Sequence, residues 1–479
     1  MESIWRKTTR IEEGKPLAGN LQVKAAVIGG GMAGMLIAYF LKKKGVEAVV
    51  LEAGGIAGGQ TGNTTAKITS QHNLIYHSLI RGKGEEAAAQ YARANQQAIE
   101  EYAGLIRERG IECEFQRVPA YLYSTAEAYP LEREAEAAKR LGIPAEFTLE
   151  TKLPFPIKGA VKFHDQAQFH PLKFLKALSE ELTVYGGTFV QSVEGNRIAT
   201  RGGEVEAEHI IFATHYPFIN MPGYYFLRMH QERSYVVALE HAARLDGVYL
   251  GVDPEGLSFR NSGELLLLGG GSHRTGENSA GGRYDALRAQ ARMFWPQSVE
   301  RAYWSAQDCM SLDQVPYIGR YSSSAPNWYA ATGFGKWGMT GSMVSAMIIS
   351  DLVTGRENPN EEVFSPQRLD LFSSAKTLAK EGAQAAKGLS RRLLSPPKAA
   401  LDALPLGHGG IVEVEGEKAG VYKDQDGRTY VISPRCPHLG CQLEWNPDEL
   451  SWDCPCHGSR FDYKGNLLNN PAQEGLLRI

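Results

Sequence analysis

Two short stretches hold residue types that can bind metal: Cys436-Pro437-His438 and Cys454-Pro455-Cys456-His457. In ligand terms they read Cys-x-His, a gap of fifteen residues, then Cys-x-x-His. Two thiolates and two imidazoles suit a metal that accepts soft and borderline donors. Two centres meet that description, a diiron site with bridging sulfide and a single tetrahedral zinc. A zinc finger tends to pair Cys with Cys and His with His along the chain, whereas each stretch here carries one of each.

The spacing resembles, residue by residue, that of the Rieske family. The resemblance implies that Cys436 and Cys454 hold one iron of a [2Fe–2S] cluster, and that His438 and His457 hold the other. It also implies a disulfide between Cys441 and Cys456, which ties the two cluster loops together in the high-potential members. Neutral imidazoles in place of thiolates remove negative charge, so potentials rise to about −150 to +300 mV, against about −400 mV for all-thiolate plant-type clusters. In the high-potential members the counterpart of Ser459 donates a hydrogen bond to a cluster sulfur, as does a Tyr two positions later. Phe461 stands at that later position and has no donor, so the expected potential lies below the top of the range.

A one-electron centre needs a source of electrons, and the N-terminal part of the chain offers one. Val23 to Ile28 reads as a buried strand, followed by Gly29-Gly30-Gly31-Met32-Ala33-Gly34 (G-x-G-x-x-G), an apolar helix closed by Gly45, and a strand ending in Glu52. Gly29 serves the tight turn, Gly31 the approach of a pyrophosphate, and Gly34 close helix–strand packing. The helix N-terminus offers free N–H groups to the phosphates, and Glu52 offers acceptors to a ribose. The small-residue segment from Ala53 through Gln60, Thr61, Asn63, Thr64 and Thr65 resembles the second cofactor segment of the D-amino-acid-oxidase-like flavoproteins, the group of glycine and sarcosine oxidases. The resemblance returns at Gly335-Lys336-Trp337-Gly338-Met339-Thr340, whose family counterpart meets the flavin ring at a helix N-terminus. It further implies a strand at Thr188 to Val193 with Val193 beside the adenine, and a buried strand running through Ile210 to Thr214 at the cofactor. FAD is therefore expected, bound by Gly29, Gly31, Met32, Ala33, Gly34, Glu52 and these later residues.

The expected fold is an α/β FAD-binding Rossmann-like domain (1–75, 156–220 and 315–358) with a mixed-sheet α+β substrate domain (76–155 and 221–314). A helical linker (359–400) then leads to a small all-β Rieske domain (401–479). The linker's apolar residues among many lysines and arginines suit an amphipathic helix lying on the flavoprotein, with a membrane surface as the sharper alternative. Polar residues expected to face the substrate cleft are His230, Arg233, Arg260, His273 and, as first picks for catalysis, His215, Arg274 and Tyr235. One of these arginines would clamp a substrate carboxylate bidentately. Lys67 and His72 match no motif for covalent flavin attachment or oxygen activation, so noncovalent FAD is expected.

A net charge of −3 leaves no basic footprint for nucleic acid. No apolar run reaches membrane-spanning length, and the first residues lack a signal-peptide core. A cytoplasmic location is the expectation, with membrane association disfavoured. Of six cysteines, Cys113 and Cys309 fall outside the cluster motif and read as small buried hydrophobes. The expected activity is an FAD-dependent dehydrogenase oxidising a small amine or amino-acid-like substrate (CH–NH or CH–NH2) and passing electrons singly through its own cluster to an external acceptor. The rivals are an oxidase that uses dioxygen, with the Rieske domain as sensor or cap, and a noncatalytic electron-transfer protein. A pyridine-nucleotide reductase would need a second nucleotide-binding unit, and the later G-x-G-x-x-G match, Gly333 to Gly338, falls in the segment that the resemblance assigns to the flavin ring.

Overall fold

The computed structural model describes residues 1–368, 399–400, 404–414 and 416–479. Its centre is an eight-stranded sheet in which Leu21–Ile28 lies between Ala48–Leu51 and Glu204–Phe212, all parallel. Ala25 to Ile28 are buried without alternation, as a strand covered on both faces must be. The helix Met32–Lys43 covers one face and packs on Gly338–Val353. That second helix is buried almost all round, from Met339 to Ser350. Its large side chains each gain about 1.5–3 kcal/mol from leaving water, so the loop before it is held from behind.

A second sheet has nine strands, with Met229–Glu240 antiparallel to both Leu265–Arg274 and Val299–Ser311. Helix Glu85–Arg109, amphipathic with Tyr91, Ala94, Ala98, Tyr102 and Leu105 buried, packs on Gly338–Val353. One boundary differs from expectation. Gly159–Gln168, assigned from sequence to the cofactor domain, pairs with Gln116–Ser124 in the substrate sheet. Lys67–Ile68 joins the same sheet, with Lys67 opposite Gln168. Pro154, Pro156 and Gly159 mark a break there, but a break does not tell which sheet the next strand joins. A second addition is the short helix Ile4–Thr8, whose Trp5 indole donates to the Thr64 carbonyl at 2.6 Å and so braces the cofactor loop.

The C-terminal domain is two four-stranded sheets. Ala399–Ala400, His408–Val414, Glu417–Lys423 and Thr429–Ile432 form one; Glu444–Asn446, Ser451–Asp453, Arg460–Asp462 and Leu467–Asn469 form the other. Tyr422, Trp445, Trp452 and Phe461 fill its core together with the four cluster-loop cysteines. The helix expected over 359–400 falls mostly at 369–398, outside the described residues; before it, only Glu361–Phe364 is helical. Among the described residues no helix is long and apolar enough to cross a membrane.

Candidate active site and cluster site

A cavity of about 710 Å3 runs along the C-terminal ends of the central strands, within the range of small-molecule sites. It gathers nearly every expected cofactor residue: Gly29, Gly31, Met32, Ala33, Glu52, Ala53, Gln60, Thr61, Asn63, Thr64, Thr65, Thr214, Gly335, Lys336, Trp337, Gly338 and Met339. Gly29 (φ +112°) has no room for a side chain, because a Cβ would stand 2.5 Å from the Ala213 carbonyl oxygen. Gly34 does not line the cavity but lies under the turn, where a Cβ would meet the Gly29 oxygen at 1.9 Å. The Glu52 carboxylate accepts from the Gly30 and Gly54 amides at 2.6 and 2.8 Å, leaving lone pairs for a ribose. Thr61 Oγ1 accepts from Met32 N at 2.9 Å and fixes the first turn of the helix. This cradle fits FAD.

Two expected cofactor residues stand elsewhere. Val193 is buried in the core, and Thr188, Phe189 and Val190 line the cavity in its place, because the strand starts later, at Val190–Glu194. Thr340 turns away from the cavity, and its hydroxyl donates to the Thr69 carbonyl at 3.1 Å. His72 stacks on Trp337 at 4.7 Å and bonds the Tyr91 hydroxyl. Burial lowers its pKa to about 3, so it is a neutral prop for the flavin-side loop.

The four cluster residues converge in the C-terminal domain. Cys436 and Cys454 are each 1 % exposed, and their thiols hydrogen-bond one another. The His438 and His457 rings stand 5.0 Å apart and nearly perpendicular. Nδ1 of both rings is buried without a hydrogen-bond partner, an expense that native interiors avoid unless another ligand takes the lone pair. Burial lowers both imidazoles, to about 4 and about 3, which keeps those lone pairs unprotonated. Cys441 and Cys456 are joined as a disulfide. Their sulfurs lie within 4.8 Å of Cys454 Sγ, but a disulfide sulfur is no thiolate ligand. Two thiols and two orphaned imidazole nitrogens therefore remain, as a Rieske [2Fe–2S] cluster requires.

Sequence reasoning missed how closely the two sites adjoin. The second cluster loop sits on the substrate sheet: a Cβ on Gly458 (φ +82°) would be 2.6 Å from Gln231 Cβ. Gln231 Nε2 donates to the His457 carbonyl at 2.7 Å, and Gln307 Nε2 donates to the Gly458 carbonyl at 2.7 Å. Gln307 also lines the cofactor cavity, and its backbone N–H donates to Gln60 Oε1. Leu467, Leu468, Asn469, Asn470, Ala472 and Gln473 of the C-terminal domain close part of the cavity wall. The loop at 219–227 covers the imidazole edge: His438 Nε2–H donates to Asn220 Oδ1 at 2.9 Å, and the Phe226 ring meets His457 edge-on. Glutamines on strands carry no sequence signal for such a role.

The residues picked for catalysis fall at this junction. Arg274 donates to the Pro455 and Cys456 carbonyls at 3.0 and 3.1 Å and does not line the cavity, so its guanidinium holds the cluster loop. Tyr235 lines the cavity, yet its hydroxyl bonds His273 at 3.0 Å. His215 lines the cavity, bonds Gln231 Oε1 at 3.2 Å and is lowered to about 4 by burial. Arg233 forms a buried ion pair with Glu449 of the C-terminal domain. Arg260 is spent on the Ala66 and Phe169 carbonyls.

Comparison with known proteins agrees with this geometry. The family model for FAD dependent oxidoreductases (DAO) matches residues 24–352, and that for the Rieske [2Fe-2S] domain matches residues 398–478. YhfW of Bacillus subtilis (strain 168), described as a Rieske 2Fe-2S iron-sulfur protein, is 36% identical over 495 residues, covering 100% of this chain and 97% of that protein. Among solved structures, glycine oxidase from Geobacillus kaustophilus is similar with a TM-score of 0.62 at 19% identity, over 73% of this chain and 99% of its own. L-amino acid deaminase from Proteus vulgaris is similar with a TM-score of 0.60 at 15% identity, over 75% of this chain and 100% of its own. The chain is thus a member of the DAO family of FAD-dependent oxidoreductases that carries a C-terminal Rieske [2Fe–2S] domain.

Proposed function

We propose that this protein is a dehydrogenase for a small amine or amino-acid-like substrate, and that its electrons leave one at a time through its own Rieske domain to an external acceptor. When bound, FAD supplies acceptance of a hydride equivalent from a C–N centre, and the cluster supplies one-electron transfer. The observation that carries the reading is Gln307, which lines the cofactor cavity and bonds the carbonyl next to His457. A dividing wall of one residue suits two centres that exchange electrons. The chain's own residues do the positioning. Gly29 and Glu52 seat the nucleotide, while Trp337, braced by His72, shapes the flavin end of the cavity. Gln231, Gln307 and Arg274 fix the cluster loop against the sheet. The substrate and acceptor assignments draw on the glycine oxidase and L-amino acid deaminase likeness and on the Rieske domain.

The test is an anaerobic screen of small amines and amino acids on protein loaded with FAD and cluster. A substrate is expected to bleach the flavin absorbance and to raise the reduced cluster's EPR signal together. Bleaching with no cluster signal would refute intramolecular transfer, and peroxide equal to turnover in air would favour the oxidase.

A further inference from the structure

The strand Val299–Ser311 turns successive side chains to opposite faces of its sheet. Gln307 and its neighbour Arg233 face the C-terminal domain, whereas Asp308 faces the cofactor cavity and lines it. Asp308 stands opposite Glu232 on the adjacent strand Met229–Glu240, so both lie on the cavity face, with Ser234 two residues further on. The Ser234 hydroxyl hydrogen-bonds the Asp308 carboxyl, and Ser234 also lines the cavity. The Gly335 amide donates to the Cys309 carbonyl at 2.9 Å, which sets this end of the strand beside the loop at Gly335 to Gly338. Asp308 therefore lies at the flavin end. The other carboxylate of the cavity, Glu52, bonds the turn amides at the nucleotide end.

The cations around Asp308 are committed elsewhere. Lys336 pairs with Glu232 at 3.3 Å and donates to Ser272 Oγ at 2.7 Å. Arg233 points through the opposite face to Glu449. Lys67 enters at the far wall and bonds the Ser258 hydroxyl, three strands away, about 14 Å at ordinary strand spacing. His215, the cavity's histidine, is neutral. Among the described residues Asp308 has no ion-pair partner within 4.0 Å. Burial, with the Glu232 charge adding to it, outweighs Lys336 and raises Asp308 to about 6. A carboxylate left unpaired in this way is costly, and a cation brought by a ligand would offset that cost.

We propose that the Asp308 carboxylate and the Ser234 hydroxyl bind an ammonium group of the substrate, so that the molecule oxidised here is recognised as an organic cation and needs no carboxylate of its own. The proposal deepens the reading of this cavity as the oxidation site and rests on it. An ammonium brings three donors. The two Asp308 oxygens accept, and Ser234 Oγ, which gives its proton to Asp308, keeps lone pairs for another N–H. The charge that the fold leaves open is then neutralised by the ligand.

The test titrates the resting, oxidised full chain, loaded with FAD and cluster, at pH 8, where Asp308 is ionised. The probe is tert-butylammonium, which has no α-hydrogen and so is not oxidised, and tert-butanol is its neutral isostere. The flavin's visible difference absorbance is the readout. The ammonium is expected to perturb it saturably and the alcohol not to. Asp308→Asn should raise the ammonium dissociation constant at least about tenfold. Ser234→Ala, which keeps the carboxylate, should raise it about three- to tenfold, and it carries the test if Asp308→Asn fails to retain FAD. Asp308→Asn also removes an uncompensated charge, so its melting midpoint at pH 8 should equal or exceed that of the unaltered protein. Unchanged affinity in either variant, alcohol that binds as well as ammonium, no perturbation in the unaltered protein, or a lower midpoint in Asp308→Asn would overturn the site. Because no turnover or cluster reduction is involved, loss of this proposal leaves the electron route standing, and a failed substrate screen with intact ammonium binding would reject the route alone.

Discussion

Substituting Glu449 by Gln strikes the junction between the two redox domains at its charged centre. Glu449 accepts from Arg233 and from the Ser305 hydroxyl, both on the substrate sheet, and from Arg460 of its own domain at 3.1 Å. Its side chain and that of Arg233 are 5% and 3% exposed. Burial alone would push this carboxyl up, but the two guanidiniums outweigh it and hold it near 2. Removing one partner of such a pair costs about 3–5 kcal/mol, because the other charge stays buried and uncompensated. Arg460 keeps Asp453 at 2.9 Å, whereas Arg233 keeps only neutral partners such as Gln307 and Ser305. At a factor of ten per 1.4 kcal/mol, the equilibrium for lifting the C-terminal domain off the sheet should rise by about 10² to 10³·⁵. The remaining hydrogen bonds from Gln231, Gln307, Arg274 and Asn470, at about 1 kcal/mol net each, keep the domain seated most of the time. Native-state hydrogen exchange of the amides around 275–283 and 454–459 measures the opening, and the rise of the cluster EPR signal after substrate mixing measures its effect on transfer. Arg233→Leu is the control: it leaves Glu449 with Arg460 and Ser305 and should open the junction less. Unchanged exchange in Glu449→Gln, or a larger effect in Arg233→Leu, would refute the reasoning.

Cys436→Ser should abolish cluster absorbance while FAD content stays full, since the two sites draw on different domains; loss of both in absorbance and flavin assays would contradict this. Gly34→Val should purify without FAD, because the side chain collides with the Gly29 carbonyl; flavin content after refolding with excess FAD checks it. Glu449 is depressed in the folded state, so its contribution to docking is present above about pH 4.5 and is lost as pH falls towards 2; exchange at the junction from pH 6 to pH 3 should increase only in the acid part of that range.

Much of this molecule was readable from local spacing. The βαβ unit announced itself because Gly29, Gly31, Gly34 and Glu52 answer to one ligand through a single turn, and the cluster ligands because metal geometry restricts Cys-x-His and Cys-x-x-His to short loops. Helix Glu85–Arg109 was legible from its apolar stripe. What failed to show was partnership at long range. Arg233 looks like a cleft residue until Glu449, 216 positions later, is folded onto it. Arg274 likewise reads as a cleft residue, and only the position of Pro455 reveals its use. The strand Gly159–Gln168 was placed in the wrong sheet because alternation tells which face is buried, not which neighbour pairs.

The cover over the imidazole edge bears on how the holoprotein is made. Asn220 and Phe226 belong to the flavoprotein half, yet they stand over the imidazole edge of the cluster pocket. If iron and sulfide enter past that edge, they are delivered while the C-terminal domain is still apart, and seating then seals them in. Replacing a damaged centre requires the same parting, so the lifetime of the metal site is set by the grip between the halves and not by the ligands alone.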